Sequence, residues 1–341
     1  GDLHGTGSDT EYIATRKVPL SACRPRSHPS VAPRASEPAI GDRCADLVAM
    51  TMCEDDRPTQ PGDSVATDVF QRVDDLDQAT IDRIIERLEH RGSDPTFVAM
   101  SDAYLDALDL AAAQRVIEIG CGTGVVARAI AARPEFTGEL HATDLTRAFI
   151  DAAVGLADTE GVGDRIRFAV GDSNEIEPVE GGYDVVIAHT LISHVTDPDG
   201  LIAEATRVLR PGGRLVVFDG DYAAIVPGTS SDPELDSAVM DAATAARVAC
   251  ANPYVLRILP RLLAGHGLEL SVVQDHLYSE VGHSSFFLGM AEYIGPLIAA
   301  SGAVAGDDVD RWLGDLRQAN EDGVYFGFCN YYTYIATKPP K

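Results

Sequence analysis

Short apolar runs that end in glycine or an acidic residue recur through the middle of this chain, separated by segments of helical period. Val116-Ile117-Glu118-Ile119, Glu139-Leu140-His141-Ala142-Thr143-Asp144, Ile166-Arg167-Phe168-Ala169-Val170 and Tyr183-Asp184-Val185-Val186-Ile187-Ala188-His189 have the length and apolar content of strands. Arg214-Leu215-Val216-Val217-Phe218 is a fifth, entered from a Leu209-Arg210-Pro211-Gly212-Gly213 turn. Ile81, Ile84, Ile85 and Leu88 fall at i, i+3, i+4 and i+7, and Phe97 to Leu108 follows, so two amphipathic helices precede the first strand. Beyond the fifth strand the pattern predicts helices over 233–251 and 255–266, a sixth strand from Leu268, helices over 284–301 and 307–320, and a last strand over 324–336. Strands alternating with helices specify an α/β fold. The expected sheet is doubly wound, seven-stranded and mostly parallel, with helices on both faces. An N-terminal helical cap precedes it, and helical insertions follow strand 5 and separate strands 6 and 7.

The first strand runs straight into Gly120-Cys121-Gly122-Thr123-Gly124 and then Val125-Val126-Ala127-Arg128-Ala129-Ile130, a helix packed on a sheet. Glycine at every second position lets the backbone turn tightly and approach a ligand with no Cβ between them. A nucleotide-like ligand therefore sits at that helix's N-terminus. A dinucleotide fingerprint, G-x-G-x-x-G, needs glycine at position 125, which is valine here.

These residues resemble the first motif of the class I S-adenosylmethionine-dependent methyltransferases, acidic-x-G-x-G-x-G, matched by Glu118, Gly120, Gly122 and Gly124. The family's later patterns follow in order: Asp144 at the end of strand 2, Gly171-Asp172-Ser173 after strand 3, and the Pro211-Gly212-Gly213 turn before strand 5. The resemblance covers about residues 67 to 222. It implies S-adenosyl-L-methionine as cofactor, with Asp144 on the ribose diol and Asp172 facing the adenine amine. It extends the cofactor contacts to Cys121, Thr123, Leu145, Ser173 and His189. The domain reading that goes with it is a disordered or processed leader over 1–66, a helical cap over 67–112, a Rossmann-like core over 113–222, and substrate-cap helices with closing strands over 223–341. In relatives the N-terminal helices cover the cofactor, which makes Phe70, Arg91, Met100 and Tyr104 candidate lid contacts.

Composition narrows the partners. With 341 residues and 45% hydrophobic content the chain can bury a sizeable core. No apolar run approaches the roughly 18 residues that span a bilayer. The six cysteines are scattered without paired spacing, which suits a cytoplasmic, reducing setting. Basic residues number 27 against 53 acidic, a formal charge of −26, and residues 67–341 alone hold 20 against 43. Such a field repels phosphate backbones and anionic membranes, so a small molecule, neutral or cationic, is the expected substrate. The first 66 residues stand apart, with seven prolines and little hydrophobic periodicity.

Methyl transfer from a sulfonium is an in-line displacement. It asks for alignment, exclusion of water, and a base where the nucleophile starts protonated. His189 and His194 flank the expected methyl position and are the candidate bases, with Asp219 and Tyr222 after strand 5 as substrate-orienting groups. Asp219 and Asp221 are too isolated to suggest a metal site. Aromatic density at Phe286, Phe287, Tyr293, Tyr325, Phe326 and Phe328 suggests an apolar or aromatic pocket. The residues leave oxygen, nitrogen and carbon acceptors open. A nicotinamide oxidoreductase on a related fold and a non-catalytic cofactor-binding module also stay open.

Overall fold

The central apolar runs pair into one sheet because they are buried on both faces. Val116, Ile117 and Ile119 are each at most 2% exposed, and Val185 to Ala188 at most 1%. The computed structural model describes residues 68, 70, 73, 76–245, 247 and 250–340, and the leader expected over 1–66 lies outside the described residues. Strands β1 (Arg115–Ile119), β2 (Glu139–Asp144), β3 (Ile166–Val170), β4 (Tyr183–His189), β5 (Leu209–Gly220), β6 (Glu269–Gly282) and β7 (Tyr325–Thr337) lie in the order β3-β2-β1-β4-β5-β7-β6. Neighbours from β3 through β5 are parallel, with Val116 beside both Leu140 and Val185. Only β7 runs antiparallel, inserted between β5 and β6, so that Val217 faces Tyr334 and Tyr334 faces Val273.

Two helices precede the sheet, α1 (Gln78–Ser93) and α2 (Pro95–Ala107). Asp77 caps α1 through Thr80 N–H, and Asp94 caps α2 through Thr96 and Phe97 N–H, with Pro95 in the first turn where no N–H is missed. The crossovers are α3 (Val125–Ala132), α4 (Arg147–Thr159) and α5 (Pro198–Val208). After β5 come α6 (Pro233–Ala245) and α7 (Val255–Gly265), and between β6 and β7 come α8 (Phe286–Ser301) and α9 (Gly306–Glu321). The helix expected over 233–251 thus ends at Ala245. The sixth strand is twice as long as its apolar start suggested, because β7 pairs with it as far as Gly282.

Apolar layers cover both faces of the sheet. On one, Tyr104, Leu105, Val126, Ile130, Phe287 and Trp312 pack against Val116, Ile187 and Phe218. On the other, Leu201, Ile202, Leu256 and Leu259 pack against Ile117, Val186 and Val217. The first cap helix belongs to neither: Ile81 with Val73, Phe149 and their neighbours forms a separate small cluster of α1 on α4. Among the described residues, no helix is long and apolar enough to cross a membrane.

Candidate active site

The strand order reverses between β1 and β4, and the crevice outside the carboxyl ends of the strands at such a switch point is where open α/β sheets hold ligands. A cavity of ≈ 360 Å³ lies there, walled by the ends of β1 to β4 and roofed by Phe70, Leu88 and Arg91. That is the size of a small-molecule site.

The glycine loop shapes its floor. Gly120 has φ +63, and a Cβ there would stand 2.4 Å from Leu191 Cδ1, so any side chain must displace Leu191 on a backbone that favours glycine. Gly124 has φ +77 and lies under Phe168, setting the helix against the sheet rather than lining the cavity. In this it differs from Gly120, Cys121, Gly122 and Thr123, all of which form wall. Gly124 offers α3 no side-chain cap, and Glu118 supplies one from below: its Oε2 accepts from Ala127 N–H at 2.8 Å. Burial outweighs that bond and pushes the Glu118 carboxyl up to about 8, so it is mostly protonated at neutral pH. Cys121 is a small buried filler whose thiol burial keeps protonated.

Asp144 secures the loop from the next strand. Its Oδ2 accepts from Gly122 N–H at 2.8 Å and its Oδ1 from Thr146 N–H at 2.9 Å. Leu145 beside it is 55% exposed, and such a leucine on a cavity wall is an apolar shelf for a flat ligand. Asp172 and Ser173 line the third side, with Asp172 Oδ1 accepting from Asn174 N–H. Thr123 Oγ1 is buried without a hydrogen-bond partner in a residue of the cavity wall. An orphaned hydroxyl beside a loop with no Cβ atoms fits a polar ligand that has a donor or acceptor to give it. These residues therefore suit a nucleoside carrying an amino-acid arm.

The two candidate histidines differ sharply. His189 stacks on Phe218 with centroids 4.6 Å apart, and the Tyr104 hydroxyl donates to its Nδ1 at 2.9 Å. Burial, helped by the charge of Arg91, drops its pKa to about 3, so it is a neutral wall and too weak a base to take a proton near neutrality. His194 Nδ1–H donates to Asp68 Oδ2 at 2.7 Å. Burial opposes its charge, but the Asp68 carboxylate and the more distant Asp219 lift its pKa above the ordinary value. Asp68 is itself pinned by Phe70 N–H and Ala251 N–H. An imidazole oriented by a fixed carboxylate is the arrangement of a positioned general base.

Asp219, expected to touch substrate, does not line the site. It is fully buried, its Oδ2 accepting from Ser193 N–H and its Oδ1 from Gly220 N–H, and so anchors the loop that carries His194. Its neighbour Asp221 is engaged by Arg257. Tyr222 lies on a second, smaller cavity of ≈ 40 Å³ that shares Phe70, Leu88, Arg91 and His194 with the first and adds Arg87, Phe286, Met290, Tyr293 and Ile294. Of the six clustered aromatics only Phe286 and Tyr293 reach it. Phe287 and Tyr325 are buried in the core, while Phe326 and Phe328 pair with each other away from the site. Of the lid candidates, Phe70 and Arg91 are walls, Tyr104 acts through His189, and Met100 is core.

Sequence reasoning missed Asp68, which is 126 positions from its partner and carries no local signal. It also missed Thr190, held at φ +49 with its N–H on Phe218 O and its Oγ1 accepting from Arg91 Nη2. A threonine in the left-handed region is strained and persists only where its surroundings fix it. Arg87 was missed as well, although it falls one turn before the named Arg91, beside the apolar stripe of α1.

Residues 116–213 match a family model described as a methyltransferase domain. The chain is 30% identical over 133 residues to methyltransferase GfsG of Streptomyces halstedii, covering 39% of this chain and 46% of that one. It is 37% identical over 119 residues to the ubiquinone/menaquinone biosynthesis C-methyltransferase UbiE of Dinoroseobacter shibae, covering 35% and 47%. The chain thus spans about half the length of these curated relatives. Among solved structures, phosphoethanolamine N-methyltransferase 2 of Haemonchus contortus, in complex with S-adenosyl-L-methionine, aligns over 78% of this chain and 59% of its own at 22% identity and a TM-score of 0.48.

Proposed function

From the premise that residues 116–213 form a methyltransferase domain of the class I, S-adenosylmethionine-dependent kind, we propose that the protein methylates a small molecule whose nucleophile carries a proton, a hydroxyl or an amine. The observation that carries this reading is the His194–Asp68 pair at the junction of the two cavities, beside the glycine loop held by Asp144.

The cofactor supplies, when bound, a methyl group on a sulfonium sulfur that leaves as a neutral thioether. Gly120, Gly122, Thr123, Asp144 and Asp172 would hold it in the larger cavity. Phe70, Leu88 and Arg91 roof the site and exclude water, which matters because a displacement at carbon gains most from alignment in a dry cleft. His194 takes the acceptor's proton as the new bond to carbon forms. Asp68 holds the ring with Nδ1 turned away and stabilises the imidazolium that results. Asp219 keeps the histidine loop in place from beneath. Tyr222 faces the acceptor side.

Calorimetry with S-adenosylhomocysteine tests the cofactor half: saturable binding is expected, and none at millimolar ligand sinks the proposal. Binding of NAD in its place favours the oxidoreductase reading. A metabolite screen with methyl-labelled cofactor then identifies the acceptor.

A further inference from the structure

The smaller cavity is lined mainly by apolar and aromatic side chains, among them Phe286, Met290 and Ile294, yet two arginines stand in its wall. Arg87 and Arg91 are one turn apart on α1, a spacing at which like charges repel and weaken a helix. The guanidinium of Arg87 lies 5.1 Å from the centroid of the Tyr293 ring. Arg91 donates to the Thr190 hydroxyl at 2.9 Å, a neutral partner. Neither arginine has a carboxylate partner among the described residues, although acids outnumber bases about two to one in residues 67–341. Several arginines elsewhere in the fold meet carboxylates, Arg128 with Glu89 and Glu160, Arg133 with Asp102 and Asp106, Arg257 with Asp221, while Arg165 and Arg214 bond to main-chain carbonyls. Arg87 and Arg91 differ in lining one cavity together. Arg87 is exposed as a residue, and desolvation, then the charge of Arg91, lowers its pKa. Two positive charges thus stand together in the cavity wall without a carboxylate beside them.

We propose that Arg87 and Arg91 bind an anionic oxyacid group, a carboxylate or a phosphate, on the acceptor, with its apolar body against Phe286, Met290 and Ile294 and its nucleophile directed to His194. The inference rests on the methyltransferase reading of the same cleft and specifies its substrate class. Planar guanidinium groups recognise both oxyanions through paired N–H donors. The free space of ≈ 40 Å³ exceeds the roughly 10–15 Å³ that one water needs, and the cavity shares Phe70, Leu88, Arg91 and His194 with the larger one of ≈ 360 Å³. The sign is opposite to what the net charge of −26 suggests, because two cations at contact distance outweigh a screened surface field.

The test uses the full chain saturated with S-adenosylhomocysteine and three probes sharing a phenyl body: phenylacetate, phenyl phosphate and phenylacetamide. Ligand-observed NMR titration is expected to show one or both anions binding at least tenfold more tightly than the amide, and the two anions separate a carboxylate from a phosphate site. Arg87→Gln should abolish that preference and Arg87→Lys should restore part of it, with S-adenosylhomocysteine affinity unchanged in both. Equal binding of the amide, no binding of either anion, or a preference that survives Arg87→Gln overturns the inference. Failure to bind S-adenosylhomocysteine at all points instead to the methyltransferase reading.

Discussion

Apart from three cap residues, the wall of the large cavity comes from 118–196, the ends of β1 to β4 with the loops and helix starts that follow them, whereas the small cavity is assembled from 70–91, His194, Tyr222 and 286–294. The first is built on the ends of a sheet whose central strands are buried on both faces. The second depends on α1, which rests on a small cluster of its own, and on α8, inserted between β6 and β7. Rigid strand ends suit a ligand common to many enzymes, and helices laid across the opening suit a ligand peculiar to one. The difference teaches that the two cavities can be perturbed separately, and the variants below test the proposed division between cofactor and acceptor sides.

The largest effect is expected from Gly120→Val, where the new side chain meets Leu191 and the backbone at φ +63 resists it. Calorimetry should find no S-adenosylhomocysteine binding at millimolar ligand, and near-normal binding would break the claim that this loop forms the cofactor floor. Next, His194→Gln should lower kcat by about 10²-fold or more with the acceptor identified by the labelled screen, the range of a lost general base, while cofactor affinity holds. His189→Gln, in a neutral wall, should cost less in kcat, and a reversed order of the two would exchange their roles.

A smaller, pH-dependent effect belongs to Asp68→Asn. His194 accepts a proton only when neutral, so kcat/KM should rise with pH through a pKa above the ordinary histidine value. Removing the carboxylate should move that limb to lower pH and cut the plateau by about tenfold or more, as an unoriented base does. A limb that stays in place separates Asp68 from the chemistry. On the cofactor side, Glu118 is protonated in the fold up to about pH 8 but ionises near 4.5 when unfolded. The unfolded state then binds fewer protons between these values, so the carboxyl costs stability increasingly as pH rises through that window. Glu118→Gln keeps an acceptor for Ala127 N–H and should raise Tm relative to the parent at pH 8 more than at pH 5, as thermal melts would show. The smallest effect is expected from Phe326→Ser: that ring is 45% exposed and away from both cavities, so acceptor KM should stay within about twofold.

The periodicity of the chain revealed the order of strands and helices, and the spacing of Gly120, Gly122 and Gly124 revealed the turn into α3. Residues such as Asp144, Leu145 and Asp172 could be found because a strand end is a local event, marked where an apolar run stops. Asp219 misled for the same reason: it too ends a strand, but its carboxylate is consumed by Ser193 and Gly220 N–H. The aromatic cluster misled because a strand alternates its faces. Tyr325 and Phe326 are neighbours in sequence, one at 1% and the other at 45% exposure.

By itself, then, the sequence determined the α/β order, the glycine loop and the acidic residues that flank it, since all are set by short-range period and backbone geometry. Only the tertiary structure decided that Asp68 orients His194, that His189 is held neutral between Phe218 and Tyr104, and that Arg87 and Arg91 line the smaller cavity. Those roles rest on burial and charge contributed by segments far apart in the chain, and burial and charge set a side chain's chemistry only after the chain has folded.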